Sequence, residues 1–136
     1  MNLLFLKAAI LALLATLPLV TRAGSDDGNQ LLSDCKMMLR IADGEALGKE
    51  TLDNIHRASS CVGRMQGIIT TSTMYEASGR LKERLICLPP EGMNNGQAGR
   101  VVVKYLESHP DKLHKNGTML AFFAIVEAFP CSAGEG

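Results

Sequence analysis

Tryptophan is missing from this 136-residue sequence, and Phe, Tyr and Trp together make up only 4% of it. That is too little aromatic surface for a face that stacks on sugars. Net charge is missing too: 14 Lys and Arg balance 14 Asp and Glu. A chain without a basic surplus has no electrostatic case for nucleic acid or an anionic membrane as partner. No C-x-x-C occurs, which argues against zinc fingers and thioredoxin-like redox sites, since both need close cysteine pairs. The three histidines, His56, His109 and His114, include no i, i+4 pair, and no acidic residue completes a metalloprotease motif. Past residue 23, no apolar run approaches the roughly 20 residues of a membrane-spanning helix. The expectation is therefore a protein with no catalytic residue, no metal and no cofactor.

What is present begins with an export signal. Lys7 precedes an uncharged run over residues 8 to 20, and Thr21-Arg22-Ala23 supplies the small-x-small pattern of a cleavage site. The cut is expected between Ala23 and Gly24. Residues 1–23 then form a signal peptide, 24–131 a single domain and 132–136 a loose tail. Losing Lys7 and Arg22 leaves 12 basic against 14 acidic residues. Export directs the protein to the periplasm, where disulfides form. All four cysteines, Cys35, Cys61, Cys87 and Cys131, lie in the exported part. An even count in a small exported domain reads as two bridges, so free thiolates for catalysis are not expected.

Apolar periodicity predicts an all-α fold of four helices. The first runs from Asn29, its expected cap, to residue 42, with Leu31, Cys35, Met38, Leu39 and Ala42 inward. Asp43-Gly44 ends it, with glycine able to take the left-handed conformation. The second covers residues 51 to 76 and turns Leu52, Ile55, Ala58, Val62, Met65 and Ile69 inward. Its Gly63 and Gly67 imply the close approach of another helix, since each costs up to about 1 kcal/mol relative to alanine. A connector follows over residues 78 to 93, with Arg80, Lys82, Glu83 and Arg84 exposed and Pro89-Pro90 forbidding helix. The third helix spans residues 95 to 108, with Gln97, Val101, Val102, Tyr105 and Leu106 inward. His109 is read as a turn residue, and Pro110 as the first residue of a fourth helix reaching residue 129. That helix buries Leu113, Gly117, Leu120, Ala121, Ala124, Ile125 and Ala128.

Four cysteines allow three pairings, and the helical layout selects one. Helices three and four form a hairpin, which brings Cys87 before the one beside Cys131 after the other. Helices one and two form a second hairpin, with Cys35 and Cys61 at similar height from its turn. The expected pairs are Cys35–Cys61 and Cys87–Cys131. The scattered methionines read as core filling, and Asp26-Asp27 as a solvated start to the exported chain.

Cys87-Leu88-Pro89, Gln97, the run from Val101 to Leu106, His109-Pro110, Leu113-His114 and Glu127-Ala128-Phe129-Pro130-Cys131 fall in a defined order. Gly28-Asn29-Gln30-Leu31-Leu32, Cys35 and Cys61-Val62-Gly63 with Gly67 precede them. This ordered set resembles the Tai family of type VI amidase immunity proteins, also called resistance-associated proteins, over nearly the whole exported chain. The resemblance implies an exported helical protein that binds and blocks a peptidoglycan amidase effector and so protects the producing cell. Two places depart from the family pattern. Arg64 stands where an aromatic residue is common, and Asn116-Gly117 where small helix formers such as alanine are usual.

The expected partner is a cognate amidase effector, with contact residues unassigned and a homodimer left open. The turn over residues 43 to 50 and the connector are the irregular pieces that could plug a cleft. Two other readings compete. One is a small periplasmic helical chaperone or stress protein without an effector; the two bridges make its acid unfolding harder to arrange. The other is a saposin-like lipid binder, which four cysteines at these spacings disfavour.

Overall fold

Four α-helices make up the computed structural model, which describes residues 26–45, 51–80 and 83–131. They are α1 Gly28–Ala42, α2 Thr51–Ala77, α3 Asn95–Ser108 and α4 Gly117–Ala128, with one 3-10 turn at Pro110–Lys112. No strand is found among the described residues. The cleavage pair Ala23 and Gly24, the tail 132–136, residues 46–50 of the first turn, and Lys82 of the connector lie outside the described residues.

Helix α1 is the centre of the bundle and packs on α2, α3 and α4. Its Leu31, Cys35 and Met38 face a core completed by Cys61, Met65, Val102, Leu106, Leu120 and Ala124. Asp43-Gly44 ends α1 as expected: Gly44 has φ +79°, and its amide reaches the Ile41 carbonyl at 3.1 Å. The helix begins differently. Asp27, not Asn29, is the cap, its Oδ1 accepting from the Gln30 amide at 2.9 Å. Asn29 instead donates its side-chain amide across the fold to the Leu113 carbonyl.

Helix α2 is continuous through residues 68–73, which are rich in Ile and Thr, but its inward face is rotated from the expected one. Asn54, Ala58, Cys61 and Met65 are buried, at spacings of four, three and four, whereas Leu52 is 84% and Ile55 47% exposed. The bridge at Cys61 fixes which stripe points to α1, and the competing apolar residues are left outside. Gly63 and Gly67 do not admit another helix, because a Cβ at either would meet nothing within 4 Å.

Helix α3 matches its expected bounds. Gln97 is exposed and closes a capping box with Asn94 instead of facing inward. The fourth helix is shorter than expected at its start. After the turn at Pro110–Lys112 the chain is non-helical until Asn116, which caps α4 by accepting from the Met119 amide at 3.0 Å. Ala128, expected to be buried, is exposed.

This late start lets the chain entering α1 cross the chain entering α4. The Gly117 amide donates to the Asp26 carbonyl at 2.9 Å, and the Gly28 amide to the Lys115 carbonyl at 3.0 Å. Asp26 is therefore not simply solvated. Its carboxylate pairs with Arg64 and accepts from Asn116 Nδ2 at 3.0 Å. Gly117 is needed at the crossing, since a Cβ there would lie 2.7 Å from the Asp27 carbonyl oxygen. Gly117→Ala is expected to destabilise the fold by about 1–3 kcal/mol, the usual range for overpacking against backbone. Urea denaturation checks this, and an unchanged midpoint would contradict it.

Candidate interaction surface

Both disulfides join the cysteines that the two-hairpin layout pairs. Cys35–Cys61 links α1 to α2 with Cα atoms 5.1 Å apart, and Cys87–Cys131 links the connector to the chain beyond α4 at 5.0 Å. None of the four is a free thiol. Their placement differs: Cys35 and Cys61 are fully buried, whereas Cys87 and Cys131 are partly exposed.

The histidines do not converge. His56 and His114 are exposed. His109 ends α3, with its ring stacked against Tyr105 at 4.2 Å between centroids and Nδ1 2.8 Å from the Tyr105 carbonyl. No group of three or more His, Cys, Asp or Glu side chains suited to a metal occurs among the described residues.

One buried polar site escaped the sequence pattern. Asp34 is only 3% exposed on the α1 face toward α2. Its Oδ1 accepts from Gln30 Nε2 at 2.7 Å and lies 3.5 Å from Arg57 Nε. Arg57 also donates to the Ser33 carbonyl at 3.1 Å and to the Ser33 hydroxyl. Gln30, one turn before Asp34, is a signal that could have been read, as an i, i+4 pair. The approach of Arg57 from α2 could not. This cluster braces α1 against α2.

The described parts of the two irregular segments expected to meet a partner carry contacts within the fold. At the first turn, Asp43 pairs with Arg100 of α3 and Glu45 with Arg40. In the connector, Ile86 is buried, Arg84 pairs with Glu76 of α2, and the Cys87 amide donates to the Phe129 carbonyl at 3.0 Å.

Open apolar surface lies instead along α2. A groove of about 480 Å³ between α1 and α2 is lined by Met38, Ile41, Ile55, Ala58 and Val62, among others. A second, of about 400 Å³ between α2 and α4, is lined by Gly67, Ile68, Met119 and Phe122, with Arg64 at its edge. Gly63 borders both. The missing side chains at Gly63 and Gly67 keep the ridge between the grooves low. Leu52, Met74, Tyr75, Met119 and Phe123 are each at least 46% exposed. Sequence reasoning assigned several of the groove residues to the core, because periodicity reports an apolar face without saying what covers it.

A family model described as Rap1a immunity proteins matches residues 27–131, which takes in all four helices and both disulfides. No match was found among curated proteins or among solved structures.

Proposed function

This chain belongs to the Rap1a immunity protein family, and on that premise we propose that it is an exported protein that binds and inhibits a peptidoglycan amidase effector of type VI secretion. The family match across residues 27–131 is the observation that carries this reading. An immunity protein works by stoichiometric binding, so it needs a rigid scaffold and a surface that a partner can desolvate. Two bridges and a brace between α1 and α2 supply the first. The grooves along α2 are suited to the second.

The glycines of α2 support that assignment. Each costs the helix up to about 1 kcal/mol relative to alanine. Neither is offset by a neighbouring element inside the molecule, since both face open space. An approaching partner chain is what such a low ridge accommodates, and Met119, Phe122 and Ile68 beside it offer apolar contact. On this reading the protein acts in the periplasm, where a cell-wall amidase would do damage, and residues 1–23 deliver it there.

The test is to direct a neighbour-encoded amidase to the periplasm with and without this protein. Lysis is expected with the amidase alone and is expected to stop when the two are made together. Unchanged lysis would overturn the reading. In binding assays, Gly67→Glu and Met119→Glu are each expected to weaken the complex at least 100-fold, since each places a charge on a surface the partner desolvates. Their thermal midpoints are expected to stay near that of the parent, because both positions are exposed. Full affinity in both variants would move the interface away from the α2–α4 groove, and Asp43→Lys then tests the turn.

A further inference from the structure

The two disulfides sit in different chemical settings. Cys35 and Cys61 are 0% exposed and belong to the core with Leu31, Met65 and Leu106. Cys87 and Cys131 are partly exposed and lie outside that core. A thiolate must reach a sulfur to open a disulfide, so access governs the rate. We propose that Cys87–Cys131 is a reducible latch on connector residues 83–93, opened by a dithiol while Cys35–Cys61 stays closed.

The step is a two-electron exchange. One thiolate of the dithiol attacks a sulfur of the outer bridge and forms a mixed disulfide. The other cysteine leaves as a thiolate and takes up a proton. The second thiol of the reductant then closes on the first, which releases the remaining cysteine. Two protein thiols and one oxidised reductant result.

Little else holds the connector near this point. The Cys87 amide keeps its bond to the Phe129 carbonyl, Ile86 stays packed, and Arg84 reaches Glu76 at 3.2 Å. The Arg84 side chain is 49% exposed, and ion pairs in such settings contribute little. The helices do not depend on the outer bridge in the same way. Helix α1 packs directly on the other three, and its own bridge lies inside that contact. Opening the latch therefore frees the connector and leaves the bundle standing.

The oxidised mature protein is treated with graded dithiothreitol, quenched with iodoacetamide and mapped by mass spectrometry, with circular dichroism followed in parallel. Cys87 and Cys131 are expected to be labelled at least tenfold faster than Cys35 and Cys61, with the helical signal retained. Trypsin cleavage after Arg84 is expected to rise at least tenfold in the singly reduced form. Simultaneous labelling, earlier labelling of Cys35 and Cys61, loss of helix with the first labelling, or unchanged cleavage at Arg84 would each overturn the proposal. The Cys87→Ser/Cys131→Ser variant supplies a second test: it should keep its helical signal and be cut after Arg84 without reductant. A helical signal lost in that variant would also count against the latch.

Discussion

Replacing Cys35 and Cys61 together by alanine is expected to lower stability by roughly 3 to 5 kcal/mol, a large share of the 5–15 kcal/mol available to a small domain. Two effects compete in deciding which bridge matters more. Loop entropy favours the outer one, because its sequence separation is 44 against 26 for the inner. That difference is worth only about 0.5 kcal/mol. Removing the inner sulfurs also leaves a void between fully buried residues, and such voids cost about 24 cal/mol per Å³. A void of one or two sulfur atoms outweighs the entropic difference. The inner double variant is therefore expected to be the less stable of the two. Urea denaturation of Cys35→Ala/Cys61→Ala and Cys87→Ala/Cys131→Ala decides the order, and a reversed order would mean that the core closes over the missing sulfurs.

The second large effect is expected at the brace between α1 and α2. Arg57→Met keeps most of the aliphatic stem but removes the guanidinium from Asp34 and Ser33. The Asp34 carboxylate is then left nearly buried with the Gln30 amide as its remaining side-chain partner. A buried group stripped of a charged partner typically costs about 2 to 3 kcal/mol. Adding Asp34→Asn to Arg57→Met removes the stranded charge, and an asparagine can still accept from Gln30. The double variant is expected to recover at least 1 kcal/mol of the loss. Chemical denaturation of the single and double variants measures this coupling. Simple additivity of the two substitutions would show that Arg57 and Asp34 do not act as a pair.

Groups read from the sequence as independent are joined in the fold. Arg64 and Asn116-Gly117, the two departures from the immunity-protein pattern, meet at Asp26. Arg64 pairs with its carboxylate, Asn116 donates to it, and Gly117 donates its amide to the Asp26 carbonyl. A bare glycine at 117 allows the chain to cross at that point, and the polar pair holds it there. The four residues lie up to 91 positions apart, so no local pattern could link them.

What the sequence determined by itself is the set of elements and their order. Apolar periodicity placed four helices, glycine and proline placed the C-terminal ends of α1 and α3, and the short links made two hairpins that fix the cysteine pairing. These features are local, or follow from one local feature and the geometry of a hairpin. Tertiary structure decided which face of each helix is covered. In α2, Leu52 and Ile55 recur at helical spacing as convincingly as the true inner stripe of Asn54, Ala58, Cys61 and Met65. Only the fit against α1, pinned by Cys35–Cys61, chooses between them. The same holds for Asp27 as the cap of α1 and for the late start of α4, which depend on a crossing between distant segments. Periodicity along one helix carries no information about the surface of another. The apolar grooves along α2, the surface proposed for a partner, were therefore legible only once the bundle had closed and left them uncovered.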